Sequence, residues 1–304
     1  MSDRADTITT RCGHVALIGA PNAGKSTLLN RLVGSKLAIV TPKVQTTRAR
    51  LLGIMIHGGT QIILVDTPGI FEPKRRLERA MVKAAWAGAK DADIIVVLVD
   101  ASRGLDEDTA RIIDGLRAAK RRALLALNKV DVVKRIELLP LAQAFDREGV
   151  FDRVFMISAF TGDGVEDLKA YLANALPTGP WLYPEDEITD APLRLMAAEA
   201  TREQIFRQLH QELPYSATVE TEKWEDRPDG SVRIDQIIHV AREGQKAIVL
   251  GHGGRQIKSI GAAARAELEK VFDRRVHLFL QVRVTENWTE DRERYAAMRL
   301  DFDE

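Results

Sequence analysis

Four short residue groups, met in chain order, could each handle a different part of one nucleotide. Gly19-Ala20-Pro21-Asn22-Ala23-Gly24-Lys25-Ser26 has the G-x-x-x-x-G-K-S spacing of a loop whose backbone N–H groups close around phosphate oxygens. Gly19, Asn22, Ala23, Gly24 and Thr27 would line that loop, Lys25 would neutralise the β- and γ-phosphates, and the Ser26 hydroxyl would ligate Mg²⁺. Asp66-Thr67-Pro68-Gly69 offers a carboxylate able to hold Mg²⁺ through water and a Gly69 N–H able to reach a γ-phosphate. In Asn128-Lys129-Val130-Asp131, the Asp131 carboxylate matches the N1–H and exocyclic amine of guanine. Adenine presents an acceptor at N1 and no amine at C2, so an unpaired carboxylate would reject it. The Lys129 stem can cover one face of the base. Ser158-Ala159 completes the set with a backbone N–H for the guanine O6. The ligands implied are GTP and GDP with Mg²⁺.

Each group needs a strand to carry it. The apolar runs His14–Ile18, Ile62–Val65, Ala123–Leu127 and Val154–Ile157 end where the four groups begin. They read as buried, mostly parallel strands. Ser26–Leu32 continues as a helix, which would put the phosphates at its positive end. Amphipathic stretches at Glu78–Lys90, Asp106–Lys120 and Val165–Leu176 supply helices for both faces of the sheet. The first domain is therefore an α/β nucleotide-binding domain over 11–180.

Pro177-Thr178-Gly179-Pro180-Trp181-Leu182-Tyr183-Pro184 interrupts this alternation and reads as a semi-rigid linker. A smaller α+β domain over 181–304 would follow. Its expected order is a helix over Leu193–Leu213 ended by Pro214, then strands Ser216–Trp224 and Val232–Ala241 flanking the turn Arg227-Pro228-Asp229-Gly230. A short helix at Gln245–Leu250, the loop Gly251-His252-Gly253-Gly254, a helix over Gln256–Phe272 and a strand over Val276–Val284 complete it. Helix, G-x-x-G loop and helix on a three-stranded sheet is the pattern of a type II KH domain, whose loop clamps a single-stranded RNA backbone beside an apolar groove.

Composition constrains the partners. The 304 residues carry 44 Lys and Arg against 44 Asp and Glu, which argues against indiscriminate nucleic-acid binding. From 181 onward there are 18 basic and 24 acidic residues, but between Arg242 and Arg275 the ratio is 8 to 4. Arg255 and Lys258 stand beside the loop, whereas Arg265 and Lys270 also fit a solvated helix face. The single cysteine, Cys12, suits a reducing cytosol. No apolar run is long enough to span a bilayer, and the start Met1-Ser2-Asp3-Arg4 is polar, unlike a secretory signal.

Taken together, the four nucleotide groups and the stretch Glu243–Gly261 resemble the bacterial Era GTPases over nearly the whole chain. Leu213-Pro214-Tyr215-Ser216 and Gln45-Thr46-Thr47-Arg48 fit that family as well. The resemblance implies a monomer that binds the 3′ end of 16S rRNA, acts in small-subunit assembly and associates loosely with the cytoplasmic face of the inner membrane. It implies RNA contacts at Lys246, Val249, Gly251, His252, Gly253, Gly254, Arg255, Ile257 and Lys258. The family usually has Lys where this chain has His252, a weaker cation near neutral pH. Thr47 is expected to give the second Mg²⁺ hydroxyl, with Thr46 its rival. Lys25, Thr47, Asn22 and Gly69 form the expected catalytic set. Ras-like enzymes carry a water-orienting Gln directly after the glycine of the Asp-x-x-Gly group, and this chain has Ile70 there. In related GTPases an Asn placed like Asn22 helps hold K⁺ beside the transferring phosphate; a turn-stabilising role is the alternative.

Overall fold

The computed structural model describes residues 10–41, 43, 47–286 and 288–302. Residues 10–37 and 47–190 form one compact unit and 191–302 another, with 38–41 and 43 grouped in the second. Thr46 and the polar start lie outside the described residues.

The first unit alternates strands and helices: β1 (Arg11–Gly19), α1 (Lys25–Val33), β2 (Leu51–His57), β3 (Thr60–Asp66), α2 (Arg76–Asp91) and β4 (Ile94–Asp100). There follow α3 (Glu107–Ala118), β5 (Ala123–Asn128), α4 (Arg135–Asp146), β6 (Phe151–Met156) and α5 (Val165–Ala175). Six strands lie in the order β2-β3-β1-β4-β5-β6, with β2 antiparallel to β3 and the other neighbours parallel. Val15–Ile18, Ile95–Val99 and Ala123–Leu127 are buried without alternation, because layers on both sides of a parallel sheet exclude water from both faces. Strand order reverses around β1, the position where open α/β sheets open a crevice at their carboxyl edge. Leu17 pairs with Asp66, Gly19 with Leu98 and Asp100 with Asn128, so the loops after β1, β3 and β5 leave at one edge.

Local chemistry sets the helix starts. Asp106 accepts a bond from Thr109 N at 2.8 Å and caps α3, whose first turn is acidic. Glu78 accepts from Lys74 N and Arg75 N at 2.8 and 3.1 Å, so α2 begins earlier than its apolar pattern indicates. Cys12 is buried and its thiol donates to Gln61 Oε1 at 3.5 Å; burial pushes its pKa up. The proline-rich stretch read as a semi-rigid linker is bonded to the first unit. Trp181 Nε1 donates to Gly59 O at 3.1 Å, Leu182 N and Tyr183 N donate to Gln61 Oε1 at 2.8 and 3.1 Å, and Ile54 N donates to Ile188 O at 2.8 Å. Contacts thus divide the chain after Asp190 rather than at 180.

In the second unit, α6 (Leu193–Gln208) precedes β7 (Thr218–Asp226) and β8 (Val232–Val240). Next come α7 (Glu243–Leu250), a 3₁₀ turn at His252–Gly254, α8 (Arg255–Phe272), β9 (Val276–Val284) and α9 (Arg292–Ala297). Strand β8 lies centrally, antiparallel to β7 and parallel to β9. The expected first helix is shorter than the sequence indicates, ending at Gln208; beyond it Leu209 and Leu213 turn into the core beside Ile205, Ile238, Val249 and Ile260. Thr201 Oγ1 donates to Gln236 Oε1 at 2.6 Å, tying buried α6 to β8. Lys43 Nζ donates to the Phe206 and Leu209 carbonyls at the C-terminal end of α6, favourable ground for a cation. Among the described residues no helix is long and apolar enough to cross a membrane.

Candidate nucleotide site and nucleic-acid interface

The phosphate loop turns on Gly24, whose φ of 100° is left-handed and whose Cβ, if it had one, would overlap the Asn128 side-chain amide. Helix α1 starts directly after it, directing unpaired N–H groups at the loop. Lys25 is buried, and its Nζ donates to Gly19 O and Ala20 O at 3.0 Å each. Burial pushes its pKa down to about 8 while the nearby Asp66 charge opposes the shift. Ala23 is buried, Asn22 and Thr27 are half-buried, and Asn22 adopts φ 64°.

Behind the loop, three oxygen-bearing side chains converge. Ser26 Oγ donates to Asp66 Oδ2 at 2.8 Å; Thr47 Oγ1 lies 2.9 Å from Ser26 Oγ and 3.3 Å from Asp66 Oδ2. Asp66 is fully buried, and its Oδ1 has no partner among the described residues. Burial raises its pKa, opposed by Lys25 and by the Ser26 and Thr47 hydroxyls. An unpaired buried carboxylate oxygen is costly unless something fills the gap. Among the described residues no group of three or more His, Cys, Asp or Glu could hold a metal. Hydroxyls and one carboxylate, completed by phosphate oxygens and water, fit Mg²⁺ rather than a softer ion.

Gly69 crosses close to Pro21, where an added Cβ would stand 2.9 Å from Pro21 Cγ. Ile70 N donates to Gly19 O at 3.1 Å, and its side chain is buried in the core beside Ala16, Ile18 and Val97. That side chain faces away from the loop and cannot orient a water.

The base-side groups are joined to the phosphate side through Asn128. Its Nδ2 donates to Ala23 O at 2.7 Å, and its Oδ1 accepts from Ala159 N at 2.9 Å. Lys129, at φ 65°, directs Nζ to Asp100 Oδ2 at 2.6 Å. Burial would raise the Asp100 pKa, but the bonds from Lys129 and Ser102 hold it below the usual carboxylate range. The pair restrains the far end of the Lys129 side chain. Asp100 was missed from sequence, although a carboxylate closing the apolar run Ile94–Val99 was a usable signal. Asp131 is exposed on a 3₁₀ turn after β5, and Ser158 is buried with Oγ accepting from Thr161 N at 3.0 Å.

In the second unit the G-x-x-G loop joins α7 to α8. Gly251, Gly253 and Gly254 have φ of 68°, 59° and 74°. A Cβ at Gly253 or Gly254 would meet nothing within 4 Å, whereas one at Gly251 would stand 2.7 Å from Gln256 Cβ. His252, Gly253, Arg255 and Lys258 are exposed, and Gly251, Gly254, Lys246 and Ile257 are half-buried. Val249 corrects an expectation: it is wholly buried in the core and offers no surface to RNA. Its neighbour Ile248 is 57% exposed, the large apolar side chain that α7 leaves outside the core. Successive helix residues point about 100° apart, and the rotation of α7 puts Val249 in the core and leaves Ile248 outside it.

Comparison with known proteins agrees with this geometry. Residues 14–129 match the family described as 50S ribosome-binding GTPase, and residues 212–289 match the KH domain family. The GTPase Era of Rhizobium meliloti (strain 1021) is 58% identical over 298 residues, 98% of this chain and 95% of that protein. The GTPase Era of Brucella suis biovar 1 is 59% identical over 293 residues, 96% and 94% of the two chains. Among solved structures, a single-residue variant of Aquifex aeolicus Era bound to GDP and AlF₄⁻ superposes with a TM-score of 0.90 at 36% identity, covering 95% of this chain and 99% of that one. An Era complex with MgGDPNP and nucleotides 1506–1542 of 16S ribosomal RNA gives the same TM-score and identity, covering 95% and 98%. Sequence and fold thus agree over both units, and the chain belongs to the Era GTPase family.

Proposed function

We propose that this GTPase is Mg²⁺-dependent and K⁺-stimulated, and that it binds the 3′ end of 16S rRNA through its KH domain while the small ribosomal subunit is assembled. The observation that carries the reading is the pairing, in one chain, of a closed oxygen-lined nucleotide site with an open glycine loop flanked by exposed Arg255 and Lys258. A solved relative was crystallised with a magnesium-bound GTP analogue and with that RNA segment, which supports both halves.

Ser26, Thr47 and Asp66 would hold the metal, which when bound neutralises charge on the β- and γ-phosphate oxygens. Lys25 would release its bonds to Gly19 O and Ala20 O and turn its ammonium to the phosphates. Gly69 would bring its N–H to the γ-phosphate, and loss of that phosphate would free the segment behind it. With Ile70 in the core, the attacking water has no side chain there to align it, so unaided turnover is expected near the about 10⁻⁴ to 10⁻² s⁻¹ of unassisted GTPases. Asn22, half-buried in the phosphate loop, is the residue that would hold K⁺. Localisation in the cytoplasm, loose association with the inner membrane and a monomeric state belong to the same proposal, drawn from the family.

Capture of single-stranded RNA ending in the small-subunit 3′ sequence, with GTP, GDP and a non-hydrolysable analogue, tests the reading. Specific retention is expected, with release after turnover if hydrolysis acts as a timer. Equal retention of unrelated RNA would overturn the ribosomal assignment. Hydrolysis should run faster in K⁺ than in Na⁺, and Asn22→Ala should remove the difference; equal wild-type rates would remove K⁺ from the proposal.

A further inference from the structure

Outside the four motif groups, one side chain on α1 reaches the loop that follows Ser158-Ala159. Arg31 Nε donates to Ala159 O at 3.1 Å, and its Nη2 donates to Phe160 O. The guanidinium lies within the bend of that loop, its Nη1 3.2 Å from where a Cβ would stand at Gly162, a residue held at φ 101°. Among the described residues Arg31 forms no ion pair, so these carbonyls are its polar partners.

The loop has internal bonds, and past the buried Ser158 and Ala159 its residues are half-buried or exposed. Ser158 N donates to Asp163 O at 2.9 Å, Gly162 N to Ser158 O at 2.8 Å, and Thr161 Oγ1 to Asp163 Oδ2 at 2.8 Å. From elsewhere in the unit, Asn128 takes the Ala159 N–H and Arg31 takes the two successive carbonyls. Phe160 is 79% exposed, so its ring does not pin the backbone. The Ala159 carbonyl and the Phe160 N–H belong to one planar peptide unit and point in opposite directions. Holding the carbonyl from α1 therefore fixes the aim of that N–H. A guanidinium presents donors in a rigid fork, which suits two neighbouring oxygens better than one mobile ammonium.

We infer that Arg31 is a positioning residue for guanine recognition: it holds the Ala159–Phe160 backbone so that its amide edge meets the O6 of the base, and it links that edge to the helix that begins at the phosphate loop. This rests on the GTP reading above. Arg31 touches neither base nor phosphate in the proposal; it acts through the loop.

Three diphosphates separate the roles. GDP has O6, N1–H and the 2-amino group, IDP keeps O6 and N1–H and lacks the amine, and the diphosphate of 2-aminopurine riboside keeps the amine and lacks both O6 and N1–H. Dissociation constants should be measured by calorimetry with full-length wild type, Arg31→Met, which keeps the aliphatic stem, and Arg31→Lys. In Arg31→Met, GDP and IDP should both weaken about tenfold, the equivalent of one or two lost hydrogen bonds, while the 2-aminopurine ligand changes less than about twofold. Arg31→Lys should recover part of the loss. Circular dichroism and RNA binding should be unchanged. Equal weakening of all three ligands would mean that Arg31 serves the phosphate loop, and no weakening would mean that its bonds are idle; either overturns the inference. A wild type that binds GDP and the 2-aminopurine ligand equally would overturn the guanine reading itself, a different result.

Discussion

Two glycine-bearing loops each lead into the N-terminus of a helix, and they differ in their surroundings. At the phosphate loop, Gly24 faces the Asn128 amide and Gly69 faces Pro21, so the chain approaches itself with no room for a β-carbon. At the second loop, Gly253 and Gly254 face open space. The first pair of glycines lets protein close on protein. The second pair leaves backbone bare for a polymer that arrives from outside. Helix-terminal N–H groups are common to both sites, so enclosure, not the motif, separates a nucleotide pocket from a nucleic-acid grip.

Single methyl groups should expose that difference. Gly24→Ala meets both backbone strain and overlap with Asn128; it should weaken GDP binding by about hundredfold or more and cost about 1–3 kcal/mol of stability. Gly253→Ala meets only the left-handed backbone, about 1–2 kcal/mol, and should leave GDP affinity unchanged. Calorimetry with GDP and thermal melts of both variants check this, and matching losses would break the distinction.

Base choice should rest on the nucleotide side. Asp131→Asn should move preference from GTP toward XTP, whose C2 carbonyl can accept a bond from the new amide, by about tenfold to a thousandfold in relative affinity. Undiminished preference for GTP in competition binding would refute the role given to Asp131.

On the open side, Gly253→Asp should keep GTP hydrolysis yet lose most binding to the small-subunit 3′ sequence, since a carboxylate repels phosphate. Arg255→Ala combined with Lys258→Ala should weaken all single-stranded RNA alike. It should also flatten the log–log salt dependence by about 0.7 per lost phosphate contact. Fluorescence anisotropy at several salt concentrations reads both effects, and an unchanged slope would place the phosphates elsewhere.

The smallest effect concerns pH. His239, buried on β8, has Nδ1 2.9 Å from Thr285 Oγ1 and Nε2 3.2 Å from Glu220 Oε2, with Arg294 Nη2 3.3 Å from each ring nitrogen. Burial lowers its pKa and the Arg294 and Arg283 charges add to this, against Glu220. A base whose folded pKa is depressed binds its proton first in the unfolded chain. Its stabilisation is therefore complete above about pH 6.5 and is lost as pH falls through the folded pKa. Melting temperature should drop slightly on acidification below that value in wild type, with a shallower slope in His239→Gln.

Much of this was legible because ligand chemistry and sheet burial both leave short-range marks. The G-x-x-x-x-G-K-S spacing and the apolar runs before each motif located β1, β3, β5 and β6, and the last strand was read to its ends as β9. Helix α4 was not read: Pro140 sits inside it, and Ile136 and Leu139 face outward at 82% and 62% exposure, so its apolar pattern points the wrong way. The burial of Val249 instead of Ile248 depended on how α7 rotates against the core, which tertiary packing decides. The Lys129–Asp100 pair and the Arg31 bonds join residues distant in sequence, and no motif spacing links the partners.

The lone thiol has a use at the bench. Cys12 is 8% exposed, its thiol is tied to Gln61, and burial disfavours the thiolate that alkylating reagents attack. A second cysteine introduced at an exposed position such as Phe160 or Ser259 should therefore take up a maleimide dye almost alone. The native chain should take up little of such a label, so a fluorophore beside either loop could follow nucleotide or RNA arrival in real time without first removing the natural thiol.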